Sequence, residues 1–139
     1  VINGGAACYN IYQCEDLEFI SLGAIETHFW KNFCEAVERP LWIDRQYETM
    51  PQQLLISEVS ALISRQPRHY WDQVLASVDC CYEPLILSNQ LAGHVQIESR
   101  QALGDNGPAY PGWINGAPVA IDEDFVELAD GKLVQWESL

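Results

Sequence analysis

The stretch SLGAIETHFWKNFC, residues 21–34, decides how the chain is read. Ser21 and Leu22 close a run of extended character and Gly23 breaks it. From Ile25 onward the apolar residues recur at helical spacing, with Ile25, Phe29, Phe33 and Val37 at i+4 and Trp30 and Cys34 beside them. Lys31, Asn32, Glu35 and Glu38 fall mainly outside this stripe. An amphipathic helix is therefore expected over about 25–39, ended by Pro40, which lacks a backbone donor and constrains its predecessor.

Glu26 then stands at a strand-to-helix turn, and two readings of it are open. It is the acid that a helix start attracts through its unpaired N–H groups and dipole, or it is a carboxylate at the mouth of a turn, fit to exchange a proton if burial raises its pKa. Residue physics alone favours the first, because no partner acid or base is identified. His28 points away from Glu26 around the helix, and His28 and His94 read as ordinary half-exposed histidines.

Before this turn, CYNIYQCEDLEFISLG (8–23) reads as a hairpin with Glu15 and Asp16 at its bend. Alternation is imperfect at Leu17, Phe19 and Ile20, which suits a sheet with both faces at least partly covered. After it, Leu55, Val59, Leu62 and Ile63 predict a helix over 51–64 with Pro51 in the first turn. Trp71, Val74, Leu75 and Val78 predict another over 67–79. CCYEPLILS (80–88) is extended, with Pro84 at a loop or edge position, and 89–93 form a helical turn. GDNGPAYPGWINGAP (104–118) is turn-rich around Trp113. Asp130-Gly131 marks a second hairpin, flanked by Val126, Leu128, Leu133, Val134 and Trp136.

The fold expected is α/β or α+β: a single domain over 1–139 in which the first hairpin and the CCYEPLIL strand form a small antiparallel or mixed sheet, packed by about three helices. A chain of 139 residues is of ordinary size for one core.

Seven Lys and Arg oppose twenty Asp and Glu, a formal charge of -13 that repels polyanions and argues against nucleic-acid binding and anionic membranes. With no run of roughly 18 apolar residues and no basic-then-apolar leader, a cytoplasmic protein is expected. The five cysteines, Cys8, Cys14, Cys34, Cys80 and Cys81, form no C-x-x-C, so free thiols and no metal site are expected. No phosphate loop or nucleophile elbow occurs, and GGAA at 4–7 precedes the first strand rather than following one.

GGAACYNIYQCEDLEFISLGAIETHFW (4–30) resembles a segment of the family III CoA-transferases, the group that includes α-methylacyl-CoA racemases. There a glycine pair precedes a Tyr-rich strand, a short turn, a second strand and the pattern V-G-A-I-E-P-x-F-[WY]. Gly4, Gly5, Ala6, Tyr9 and Tyr12 fit it, Asp16 stands at the hairpin acid, and Gly23, Ala24, Ile25, Glu26, Phe29 and Trp30 match its most specific part. HYWDQVLASVDCCYEPLIL (69–87) resembles the family's W-x-x-x-[LF]-x-x-x-D-[AV]-C-[VC]-x-P-V-L run through Trp71, Asp79, Cys81 and Pro84, and HVQIESRQAL (94–103) is a fainter echo of H-P-x-V-x-x-R. The likeness covers about 3–103. It departs at Gln13, where an Arg is usual, at Leu17, where a Gly is usual, and at Thr27, where a Pro is usual.

The resemblance implies the family's smaller domain, which faces a large Rossmann-like domain that binds CoA and carries the transferase's aspartate nucleophile. In racemase relatives the glutamate of GAIE belongs to an acid/base set completed by His and Asp residues of the large domain. Glu26 is the position to which that catalytic role transfers, provided a large domain is supplied. The expected function is a stand-alone small domain without catalytic activity or cofactor of its own, a binding or assembly module. The alternative is part of a CoA transferase or acyl-CoA racemase acting on a CoA thioester with a separate large domain. A homodimer or a protein partner is expected, through apolar groups around Trp30, Trp42 or the loop at Trp113.

Overall fold

The computed structural model describes residues 3–104, 107–108 and 112–118. The chain divides into two compact units, Val1–Ile86 and Leu87–Leu139. The first is α+β. Strands β1 (Tyr9–Gln13), β2 (Phe19–Gly23) and β3 (Tyr82–Pro84) form an antiparallel sheet in the order β1-β2-β3, with Tyr12 opposite Ile20 and Leu22 opposite Tyr82. Between β2 and β3 run α1 (Thr27–Ala36), a 3-10 helix (Pro40–Arg45), α2 (Gln53–Ile63) and α3 (Arg68–Leu75).

The period-2 pattern sorts the sheet into two faces. Tyr12, Ile20, Leu22 and Tyr82 turn inward onto Trp30, Phe33 and Cys34 of α1, Leu55, Val59 and Ile63 of α2, and Trp71 and Leu75 of α3, a single buried cluster. Trp30 and Phe33 stack with ring centroids 5.4 Å apart. Buried indole N–H groups need acceptors, and they find carbonyls: Trp30 Nε1 donates to Trp42 O and Trp71 Nε1 to Ile63 O, each at 2.9 Å. The opposite face carries exposed Tyr9 and Ile11. The outward face is only partly covered, with Phe19, Ser21 and Gly23 half-buried, in keeping with the broken alternation. Leu17 lies in the turn, and Phe19 faces outward, half-buried.

Trp30 and Trp42, expected at an exposed contact face, are core residues at 0% and 6% exposure. The 3-10 helix swings Trp42 inward. Among the apolar side chains left in water are Tyr9, Ile11, Leu41, Tyr47 and Leu54.

The helices are shorter than periodicity predicts. α1 ends at Ala36 because Arg39 N donates to Cys34 O and Glu38 N to Glu35 O, the paired bonds of a Schellman cap, with Glu38 at φ 57° in the left-handed position that glycine ordinarily takes. Pro40 only follows this stop. Pro51 precedes α2 rather than occupying its first turn, and Pro67 is the residue before α3. Asp16 ties the hairpin turn to the start of α3: its Oδ2 accepts from Arg68 N at 3.0 Å, and its Oδ1 from Glu18 N at 3.3 Å.

In the second unit the described residues form a 3-10 helix (Ser88–Gly93), a short α4 (Val95–Ser99) and two-residue pairings of β4 (Leu103–Gly104) with β5 (Gly107–Pro108) and β6 (Trp113–Ile114) with β7 (Ala117–Pro118). The last is a tight hairpin whose Asn115 and Gly116 both have positive φ, 52° and 80°. That is the primed turn favoured by an Asn-Gly pair. The hairpin expected at Asp130-Gly131 lies outside the described residues.

Candidate functional site

The turn from β2 into α1 is held on three sides by backbone and side-chain bonds. Gly23 N donates to Cys81 O at 2.9 Å, and Ala24 N donates to Cys8 O at 2.8 Å, so the two cysteine-bearing segments bracket the turn. From below, Gln46 Nε2 donates to Ile25 O at 2.7 Å and to Ala24 O at 3.3 Å. A second glutamine fixes the first: Gln52 Nε2 donates to Gln46 O at 2.8 Å while Gln52 Oε1 accepts from Ala7 N at 3.0 Å. Gln46 and Gln52 are the two buried polar residues of the core. Burying amides is unfavourable unless their donors and acceptors are paired; here they pair with backbone that would otherwise be left unsatisfied. Among the buried side-chain N and O atoms of the described residues, Gln46 Oε1 is left without a hydrogen-bond partner. The Cys8 thiol beside it interacts with the Gln46 side chain, which lowers a thiol pKa that burial raises, but S–H is too weak a donor to replace an N–H or O–H.

Sequence reasoning missed both glutamines. A glutamine beside a loop carries no periodic or motif signal. The one hint was Gln52 standing directly before a helix, where it makes no cap bond and sends its side chain elsewhere.

Glu26 is the N-cap residue of α1, in extended geometry at φ −71°, ψ 139°, and its carbonyl accepts the first helical bond from Trp30 N at 3.2 Å. Its side chain makes no capping bond, and no acid lies in the first turn. Glu26 thus stands at the N-cap, one residue ahead of the first turn. Glutamate is a poor N-cap because its longer side chain does not fold back as Ser, Thr, Asp or Asn do. Thr27, where the resemblance led us to expect a proline, opens the helix with its Oγ1 2.9 Å from the Tyr47 hydroxyl.

Beside the turn lies a hollow of about 430 Å³, lined by Gly4, Tyr9, Asn10, Ile11, Ser21, Leu22, Gly23 and Cys81. It sits on the outward face of β1 and β2. Cys81 is exposed, in left-handed geometry at φ 53°, whereas Cys8, Cys14, Cys34 and Cys80 are buried, and all five are free. The Cys81 thiol is pushed up in pKa by desolvation first and then by the Glu26 and Asp79 charges. It is consequently a protonated thiol at neutral pH rather than a nucleophilic thiolate.

Neither His28 nor His69, the described histidines of the first unit, lines the hollow. His28 is exposed with its ring 3.9 Å from that of Phe29, and His94 lies in the second unit, between the 3-10 helix and α4. Among the described residues, no group of three or more His, Cys, Asp or Glu is placed to hold a metal ion. Nor is any described helix long and apolar enough to cross a membrane.

What the turn offers is one exposed carboxylate, Glu26, beside a hollow with no carboxylate or histidine among its described lining residues. The chain is 21% identical over 118 residues to the alpha-methylacyl-CoA racemase of Mus musculus, an alignment covering 80% of this chain and 29% of the racemase. It thus spans less than a third of that relative's length. The profile of CoA-transferase family III matches residues 2–125, and the chain belongs to that family.

Proposed function

We propose that this chain is the partner-facing small unit of the family III CoA-transferase architecture, a binding or assembly module that by itself turns over no CoA thioester and needs no cofactor of its own. One observation supports this most: Glu26 stands exposed at the turn from β2 into α1, and the hollow beside that turn has no histidine, aspartate or glutamate among its described lining residues. Proton exchange at carbon needs a correctly placed acid and base together, and small misplacement costs orders of magnitude in rate. A partner surface would cover Tyr9 and Ile11, at 38% and 55% exposure, and complete the site. A second copy or another protein fits that role. A reducing, cytoplasmic setting is part of the same proposal, supported by the five free thiols.

A second reading is favoured by the similarity to the racemase. With a large domain supplied by another chain, Glu26 becomes one member of the acid/base set, and the substrate is a CoA thioester. The rigid hold on Ala24 and Ile25 would then fix the direction of the carboxylate.

Light scattering over a concentration series tests the module reading. A mass above the single-chain 15.7 kDa, or a complex with an added family III large domain, is expected, and Ile11→Asp should abolish it. A constant single-chain mass with no such complex contradicts the proposal.

A further inference from the structure

A second hollow, of about 290 Å³, opens between the segment after α1 and the exposed side of α2, lined by Arg39, Trp42, Glu58, Ala61, Leu62 and Arg65. It shares no lining residue with the hollow beside Glu26. Its charge is unusual for a chain of net -13. Among the described residues of the first unit, Lys31 pairs with Glu35, Arg45 with Glu48 and Glu58, and Arg68 with Glu18 and Asp72. Arg39 and Arg65 make no ion pair there, and both line this one hollow.

Glu58 lines it too, and its carboxylate would be the natural partner of either arginine. It is already committed. Glu58 Oε2 accepts from Arg45 Nη1 at 2.6 Å and from Trp42 Nε1 at 2.9 Å. Arg45 is shared between Glu58 and Glu48 and so offsets the Glu58 charge only in part, which leaves two guanidinium charges facing one partly neutralised carboxylate. Of five N–H donors on each guanidinium, Arg39 uses one, Nη1 to Glu38 O at 2.8 Å. The floor is apolar, formed by the Trp42 ring and Leu62. Guanidinium groups favour planar carboxylates and phosphates, which they grip through paired N–H bonds.

We infer that this hollow binds a small organic anion, with a carboxylate or phosphate group between Arg39 and Arg65 and a flat apolar body against Trp42 and Leu62. Inorganic anions lack the body and bind more weakly. The negative charge of the whole chain is screened beyond about 10 Å at 0.1 M salt, so binding is governed by the local pair of cations.

The test is an NMR titration of the full chain, following the Trp42 indole N–H, with benzoate, phenyl phosphate and inorganic phosphate as probes. Saturable binding of benzoate or phenyl phosphate is expected, and whichever is tighter identifies the head group. Arg39→Gln and Arg65→Gln should each weaken binding by about tenfold, the scale of one charge-assisted bond, and Lys31→Gln should leave it unchanged. Ala61→Glu, on an exposed helical position, keeps both arginines but places a carboxylate in the hollow and should abolish binding. No saturable binding of either organic anion, or binding insensitive to both arginine substitutions, overturns the inference. So does inorganic phosphate binding as tightly as phenyl phosphate. Each variant's far-UV circular dichroism verifies that it remains folded.

Discussion

Gln46 donates from Nε2 to the carbonyl of Ile25 at 2.7 Å, one residue ahead of Glu26. A buried side chain from the loop between α1 and α2 thereby sets the path of the turn that presents the carboxylate. Gln46→Leu deletes this bond and the one to Ala24 O, leaving the buried Ala24 carbonyl and the part-buried Ile25 carbonyl without this partner. Leaving buried acceptors unpaired costs about 1–3 kcal/mol each, offset in part by removal of the unpartnered Gln46 Oε1. A net loss of about 2 kcal/mol in urea unfolding is expected. A loss below about 0.5 kcal/mol would show that the turn does not depend on the glutamine.

Two left-handed residues give a prediction of opposite sign. Leu17 has φ 65° in the hairpin turn, at 72% exposure, and Glu38 has φ 57° at the α1 cap. Left-handed geometry costs a side chain about 1–2 kcal/mol; glycine removes that strain but returns some entropy to the unfolded chain. Leu17→Gly and Glu38→Gly should each stabilise by about 0.5–1 kcal/mol, additively, since they lie in separate turns. The strain at Leu17 is also the physical reason for the glycine expected there from the family pattern.

Buried thiols govern the alkaline limb of stability. Burial, the leading cause for each, pushes Cys14 and Cys80 up to about 11 and Cys34 up to about 12. Unfolded cysteine titrates near about 8.5. Above that pH the unfolded chain releases these protons while the folded one keeps them, so stability is full below about pH 8.5 and is lost as pH rises towards 11–12. Each thiol contributes a fall of about 1.4 kcal/mol per pH unit. Urea unfolding in reductant at pH 8, 9 and 10 should show the decline, and Cys34→Ala should reduce its slope by about one thiol. A flat profile would contradict the burial.

The sheet, the three longer helices and their core were legible because each rests on repetition: period 2 in Tyr12, Ile20 and Leu22, period 3.6 in Phe33, Leu55, Val59 and Leu75. Helix ends were not, since α1 stops through backbone bonds at Glu38, a residue with no stop signal. The burial of Trp42 depends on a 3-10 turn that a six-residue window does not distinguish from loop. Asn115-Gly116 was a legible hairpin signal passed over within a glycine-rich stretch. At the site, the GAIE pattern located Glu26, but its cap geometry, the hollow beside it and the glutamine clamp arise from contacts between distant segments, Gln46 and Gln52 to Ala7, Ala24 and Ile25. No local pattern encodes them.

Glu26→Gln should leave the fold nearly unchanged, because the side chain caps nothing. The loss should be below about 1 kcal/mol, the size of a helix-terminus charge interaction. A larger loss by urea unfolding would restore a structural role for this carboxylate.

The most direct test of the proposed function follows deuterium exchange at the α-carbon, together with CoA transfer, in a panel of acyl-CoA thioesters that includes 2-methylacyl-CoA. The chain alone is predicted to give no exchange and no transfer above the uncatalysed rate. Turnover by the chain alone, abolished in Glu26→Gln while that variant remains folded, would contradict it.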